Sequence, residues 1–307
     1  MKRIIFMGTP AYGATILEKL AKSEFELIAV FTQPDRPVGR KAELKPSSVK
    51  EKVHKLHLTC PIFQPDTLKT ADTFNTIKSL NPDFIVVAAY GQILPENILR
   101  ICPCINLHAS ILPQFRGASP IQEAVLAGLE QGGVTAMRMG VGLDDGDILA
   151  FSVCDTKDKF ACELFETFAE MAGELALKVL REFDSISPCP QPHVLATKCG
   201  KVKKERGLFS VEENSGLVMA KFRALTPWPG LFFADKTKLL DIALSTKNGR
   251  AGEILDITKD GFVLALKSGS ILVKSLQEPG KKPLAARDYI NGKRLKVGDL
   301  WQTDSEN

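Results

Sequence analysis

Phe84-Ile85-Val86-Val87-Ala88-Ala89 is an unbroken apolar run that ends at Tyr90-Gly91. A run of this kind fits a central strand buried on both faces, which is the signature of a parallel sheet covered by helices. The chain on either side alternates as such a sheet requires. Upstream, a strand is expected at Ile4–Met7 and a helix from Ala11 to Lys22. A second strand at Leu27–Phe31, a long polar segment, a helix near Ser47–Leu56, a short strand at Ile62-Phe63 and a helix at Asp72–Leu80 follow. Downstream come a strand at Ile105-Asn106-Leu107, a helix at Pro120–Ala127, strands at Val134–Met139 and Ile148–Val153, and a long amphipathic helix over Ala161–Phe183.

The texture changes after that helix. Ser187-Pro188-Cys189-Pro190-Gln191-Pro192 is punctuated by proline and reads as a linker. A basic cluster follows at Lys198, Lys201, Lys203, Lys204 and Arg206. Beyond a helix near Glu213–Leu225, five short β-like runs are separated by turns: Leu231–Ala234, Leu239–Leu244, Gly252–Ile257, Gly261–Leu266 and Ser270–Leu276. Short strands with little helix suit a small barrel of OB type. The 307 residues accommodate about two domains at roughly 100–200 residues each.

Charge supports the division. The formal net charge of +4 splits into −3 over residues 1–188 and +7 over residues 189–307. The basic part suits a polyanionic partner. No stretch approaches the ~20 apolar residues of a membrane span. The start, Met1 to Gly8, reads as a first strand and not as a leader, so a cytoplasmic setting is expected. Seven cysteines without a CxxC pair suit reduced thiols better than a disulfide framework or a zinc site.

Three places are candidates for chemistry. Gly8-Thr9-Pro10-Ala11-Tyr12-Gly13 fails the dinucleotide fingerprint at Pro10 and lacks the lysine of a P-loop, which argues against NAD and ATP. Asn106 and His108 lie two residues apart at the end of a strand, so both point to one face. An amide and an imidazole converging there suit oxyanion stabilisation and proton transfer. Gly140-Val141-Gly142-Leu143-Asp144-Asp145-Gly146-Asp147 follows the strand Val134–Met139 and is expected to enter the same sheet edge. Its acids could orient His108, relay a proton, or form a plain turn, and their spacing matches no EF-hand loop.

Asn106-x-His108, Ser110-Ile111-Leu112-Pro113-x-x-Arg116-Gly117 and Leu143-Asp144-x-Gly146 together resemble the 10-formyltetrahydrofolate-dependent formyltransferases, and the resemblance runs from residue 4 to about residue 290. Phe31 to Arg40, continuing through Lys45 to Lys50, is similar to the tRNA-contacting loop of those members that formylate methionyl initiator tRNA. So are Val87–Pro95 and Arg223–Gly230. The resemblance implies an α/β protein. A Rossmann-like formyltransferase domain with a mostly parallel sheet would occupy residues 1–188, a basic linker 189–206 and an OB-like tRNA-binding barrel 207–307. Asn106, His108 and Asp144 would be the catalytic set, acting without a metal. The folate, 10-formyltetrahydrofolate, would lie along Tyr90, Gly91, Ile93, Leu94, Ser110, Ile111, Leu112, Pro113, Val141 and Gly142. Arg36, Arg40, Lys41, Lys45, Lys201, Lys203 and Lys204 would hold the tRNA. The implied protein is a monomeric bacterial enzyme of the cytoplasm, away from membranes. Two other readings stay open on the residues: the same chemistry on a sugar amine or on water, and an RNA-binding module without catalysis.

Overall fold

The structure is a computed structural model, and it describes residues 1–38 and 42–301. In chain order its elements are β1 (Arg3–Gly8), α1 (Ala11–Ala21), β2 (Glu26–Phe31), β3 (Arg36–Val38), β4 (Glu43–Lys45), α2 (Ser48–Lys55), β5 (Ile62–Phe63) and α3 (Ala71–Ser79). Then follow β6 (Phe84–Ala88), α4 (Glu96–Leu99), β7 (Cys104–His108), β8 (Arg116–Gly117), α5 (Pro120–Leu126), β9 (Gln131–Arg138), β10 (Ile148–Asp155) and α6 (Ala161–Glu182). The remainder holds β11 (Lys198–Cys199), α7 (Ser215–Leu225), β12 (Leu231–Phe232), β13 (Lys238–Ser245), β14 (Ile254–Thr258), β15 (Gly261–Ala265), β16 (Ser270–Gln277), β17 (Leu284–Ala285) and α8 (Ala286–Lys293). These elements form two compact units. One comprises Met1–Ile121, Gln131–Thr156 and Glu163–Gly200; the other comprises Gln122–Glu130, Lys157–Cys162 and the chain from Lys201 onward.

The first unit is built on a seven-stranded sheet of order β10-β9-β7-β6-β1-β2-β5. β5, β2, β1, β6 and β7 run parallel, as the alternating pattern predicts. β9 and β10 are antiparallel additions at one edge. Every residue of β6 is buried, which is why its sequence carries no polar face. The sequence after β1 leads to β2 on one side and later to β6 on the other, so a crevice opens above their carboxyl ends. The Thr9 hydroxyl closes its floor by donating to the Tyr90 carbonyl at 2.8 Å. Capping side chains start the helices where the pattern expects them: Ser47 Oγ accepts from Lys50 N at 3.1 Å and Thr70 Oγ1 from Thr73 N at 3.2 Å. α6 buries Leu164, Phe168, Ala172, Leu175, Val179 and Leu180, a stripe of helical period.

The second unit is an antiparallel sheet of order β12-β13-β16-β15-β14, with β17 added on β16. Its core stacks Phe209, Phe233, Phe262 and Trp301, with Phe209 and Phe233 centroids 4.3 Å apart. α8, which the turn-and-strand reading passes over, buries Ala286 and Ile290 in the same core. No helix among the described residues is long and apolar enough to cross a membrane. None of the seven cysteines, all among the described residues, is joined in a disulfide.

Candidate active site

β7 ends with Asn106 and His108 on one face. Both side chains are largely buried, at 9% and 6% exposure, which is uncommon for these residue types without partners. The strand is held on one side by β6 and on the other by β9, where His108 lies opposite Thr135. From below, the buried Tyr12 hydroxyl donates to the Leu107 carbonyl at 3.2 Å, so the peptide between the two polar residues is fixed. Burial pushes the Tyr12 phenol far above its ordinary range, and it stays a donor.

Asp144 reaches this face by a route that differs from the expected one. β9 runs antiparallel to β7, with Arg138 opposite Ile105, so the carboxyl end of β9 lies at the opposite edge from His108. The segment after β9 must therefore fold back across the strand face. Arg138 N donates to Asp147 O at 2.8 Å and Met139 N to Cys104 O at 2.8 Å, which pins both ends of the return. Gly146 passes so close to Arg138 that a Cβ there would lie 1.9 Å from its carbonyl oxygen. Asp144 adopts a left-handed φ of 50°. Its Oδ1 then accepts from Asn106 Nδ2 at 3.2 Å, its Oδ2 accepts from Gly117 N at 2.9 Å, and Oδ2 stands 3.6 Å from His108 Nδ1.

The other ring nitrogen of His108 defines the tautomer. Nε2 lies 3.0 Å from the Phe115 carbonyl, which can only accept, so Nε2 carries the hydrogen. Nδ1 faces the Asp144 carboxylate. The loop carrying Phe115 is held from several directions. Ser110 Oγ donates to Gln114 O at 2.6 Å, and buried Thr135 donates to Ser110 O at 2.7 Å while accepting from Leu112 N at 3.0 Å. Phe115 and Gly117 both have positive φ, 57° and 126°. A Cβ on Gly117 would stand 2.0 Å from the Cys199 carbonyl oxygen, so only glycine permits this approach.

The stretch read as a linker packs onto these loops. β11 pairs with β8, Arg116 N donates to Thr197 O at 2.9 Å, and Phe115 N donates to Thr197 Oγ1 at 2.8 Å. Cys189 exchanges backbone hydrogen bonds with Ile148. Arg116, Thr135, Gln191 and Thr197 thus support the site without being among the residues expected to form it. Only Arg116 lies in a motif that could have flagged it.

The residues expected along the folate divide by exposure. Ser110 and Leu112 are buried beside the Asn106–His108 strand end, with Ile111 and Pro113 half-buried. Tyr90 and Leu94 are each 2% exposed and pack into the apolar layer around Ile5, Phe31 and Val87, so their side chains belong to the core and only their backbone faces the loop. Burial pushes the Tyr90 phenol up to about 12. Gly91, with φ 88°, and Gly142 are exposed, as are the apolar side chains of Ile93 and Val141.

Of the residues expected to hold RNA, Arg40 and Lys41 lie outside the described residues. Arg36 and Lys45 are exposed on a two-stranded ribbon, β3–β4, where the sequence reading expected an irregular polar loop. Its base is clamped. Lys50 Nζ donates to both oxygens of Asp35 at 3.0 and 2.8 Å and to Gln64 Oε1 at 2.8 Å; Thr32 Oγ1 and Ser47 Oγ share a bond of 2.6 Å. The Lys50 ammonium, with Gln64, holds the Asp35 carboxyl below its usual range. In the second unit, Lys201, Lys203 and Lys204 are exposed, while Arg206 pairs with Glu123.

This geometry sits in a chain with clear relatives. Residues 1–179 match the formyl transferase family and residues 201–294 match the formyl transferase C-terminal domain. A methionyl-tRNA formyltransferase of Campylobacter fetus is 57% identical over 303 residues, covering 98% of this chain and 100% of that protein. This chain belongs to the methionyl-tRNA formyltransferase family. A second methionyl-tRNA formyltransferase, from Campylobacter hominis, is 54% identical over 298 residues and covers 97% of this chain and 99% of its own length. Among solved structures, HypX from Aquifex aeolicus in complex with tetrahydrofolic acid superposes with a TM-score of 0.64 at 16% identity, over 96% of this chain and 48% of that one. At that identity it shares the fold with this formyltransferase.

Proposed function

We propose that the chain transfers the formyl group of 10-formyltetrahydrofolate to the α-amine of methionine carried by initiator tRNA, with Asn106, His108 and Asp144 as its catalytic residues. The observation that carries this reading is the convergence of those three side chains, within 3.6 Å of one another through Asp144, at the end of β7. The full-length likeness to methionyl-tRNA formyltransferases supports the choice of acceptor. In this reading residues 1–188 carry the catalysis, 207–307 help hold tRNA and 189–206 join them; the reaction uses no metal, and the chain works as a monomer in a bacterial cytoplasm.

The folate supplies the activated formyl group. The residues present fit such a ligand: the segments 89–95 and 140–146 are irregular backbone able to read a heterocycle edge, and Ile93 and Val141 offer exposed apolar surface to its faces. As the amine adds to the formyl carbon, charge builds on the formyl oxygen. Asn106 Nδ2 uses one hydrogen on Asp144 and directs the other to that oxygen. Protonated at Nδ1, His108 contributes a second donor. Asp144 keeps the imidazole facing the reacting atoms and takes the proton that the amine releases, through water. The same network returns a proton to N10 as its bond to carbon breaks, so transfer is balanced without a covalent enzyme intermediate.

The β3–β4 ribbon and the lysines at 201, 203 and 204 track phosphates in this reading. The polar clamp at Asp35, Lys50 and Gln64 supports it by fixing the ribbon's base on the first unit. The test offers 10-formyltetrahydrofolate with methionyl initiator tRNA, with a sugar-nucleotide amine, or with no acceptor. Formyl transfer to the tRNA alone is the expected result. Preferred transfer to the sugar amine, or hydrolysis at the same rate without acceptor, contradicts the reading.

A further inference from the structure

Gln191 stands in the proline-punctuated stretch between the long helix α6 and β11, yet it is only 3% exposed. Its side chain is fully used. Oε1 accepts from Arg116 Nε at 3.0 Å and from an Arg116 terminal nitrogen at 2.6 Å. Nε2 donates to the main-chain carbonyls of Asp144 at 3.0 Å and Gly146 at 2.7 Å. Arg116 in turn donates to His193 Nδ1 at 3.1 Å, and its own carbonyl leads to Gly117, whose N–H holds Asp144 Oδ2. One amide therefore grips Asp144 from both sides. Through its nitrogen it holds the backbone of the Asp144 turn, and through Arg116 it holds the loop that binds the Asp144 carboxylate.

We propose that Gln191 is a positioning residue for catalysis: it sets the left-handed turn at Asp144 and so aims that carboxylate at Asn106 and His108. The inference rests on the reading of Asn106, His108 and Asp144 as the catalytic set. It gives the stretch after α6 a part in the reaction beyond connecting two units. Only a side chain that both donates twice and accepts twice at one planar head meets these four contacts, and glutamine does so at the required length. Methionine matches its shape and makes none of them. Glutamate keeps the acceptor for Arg116 but turns an oxygen toward the two carbonyls, where no hydrogen is left to share when it is ionised.

The test uses the full-length enzyme and its natural substrates. Gln191→Met and Gln191→Glu are measured for kcat and for KM toward folate and toward tRNA, alone and combined with Asp144→Asn. A thermal melt accompanies each. Gln191→Glu retains its bond to Arg116 and gives a second variant to read should Gln191→Met not fold, the melt showing which of them is folded. The expected result for either variant is a fall in kcat of about 10- to 100-fold with both KM values within about twofold. In the Asp144→Asn background the same substitution then costs less than about twofold, because the group it positions is gone. A folded Gln191→Glu enzyme with wild-type kcat overturns the proposal. So does a Gln191 penalty that persists undiminished beside Asp144→Asn, which would assign Gln191 a general structural role while leaving the catalytic set intact. If Asp144→Asn alone keeps wild-type kcat, the underlying reading of the site fails, and this inference fails with it.

Discussion

His108 Nδ1 and Asp144 Oδ2 are 3.6 Å apart, too far for a good hydrogen bond and near enough for a strong pull on a proton placed between them. The ring is turned this way because Nε2 is committed to the Phe115 carbonyl, and the carboxylate is held by Asn106 and Gly117. The pair frames a gap in which the Asp144 carboxylate accepts the proton leaving the amine.

Asp144→Asn keeps the shape of the side chain and removes its charge. Its amide nitrogen would confront either the Asn106 amide or the Gly117 N–H, so the orientation is lost as well as the proton acceptor. We expect kcat to fall by ~10²–10³ with little change in KM for either substrate. Steady-state kinetics against both substrates check this.

Gly117→Ala asks for a Cβ where the Cys199 carbonyl already stands, at a φ of 126° that an L side chain rarely adopts. The loop must move to relieve the clash, and Asp144 loses its backbone donor. A loss of stability of about 2–4 kcal/mol is expected, together with a loss of activity larger than the unfolded fraction explains. Denaturant titration alongside the assay separates the two effects.

Lys50→Met leaves Asp35 without its cation and removes the ammonium that ties Asp35 to Gln64 in the clamp at the ribbon's base. Because the Lys50 ammonium is already engaged, its loss acts on ribbon position and not on a phosphate contact. KM for tRNA is expected to rise about fivefold or more while KM for folate stays unchanged. Salt should weaken tRNA binding steeply in the wild type through counterion release, and a titration of KM with added salt reads this directly.

Glu18 joins α1 to α2. Hydrogen bonds from Lys22 and then Lys52 hold its carboxyl down to about 2. A depressed folded value means that these two ion pairs stabilise the fold above the ordinary carboxylate range and that this contribution is lost as pH falls toward 2. With solvent screening at this partly exposed site, about 1 kcal/mol is at stake. Unfolding midpoints for wild type and Glu18→Gln should differ at neutral pH and converge in acid.

The sheet was legible because burial leaves strong marks: β6 is apolar throughout, and α6 repeats apolar residues at helical spacing. Asn106 and His108 were legible because a strand places alternate residues together. The direction of β9 was not, since its apolar run carries no mark of parallel or antiparallel pairing, and with it went the path of Asp144. β3 and β4 carry no such mark: Arg36, Pro37, Glu43, Leu44 and Lys45 are all exposed, so no buried face alternates with a solvent face. Gln191 was hidden for another reason. A polar residue among prolines looks exposed, and its partners lie 45 to 75 residues away in sequence.

The most direct measurement is the single-turnover rate of formyl transfer to methionyl initiator tRNA by Asn106→Ala, with both substrates saturating. Loss of the amide that meets the charged oxygen predicts a rate lower by ~10²–10³ with binding of both substrates retained. A rate within about twofold of wild type would contradict the assignment of this strand end as the catalytic centre.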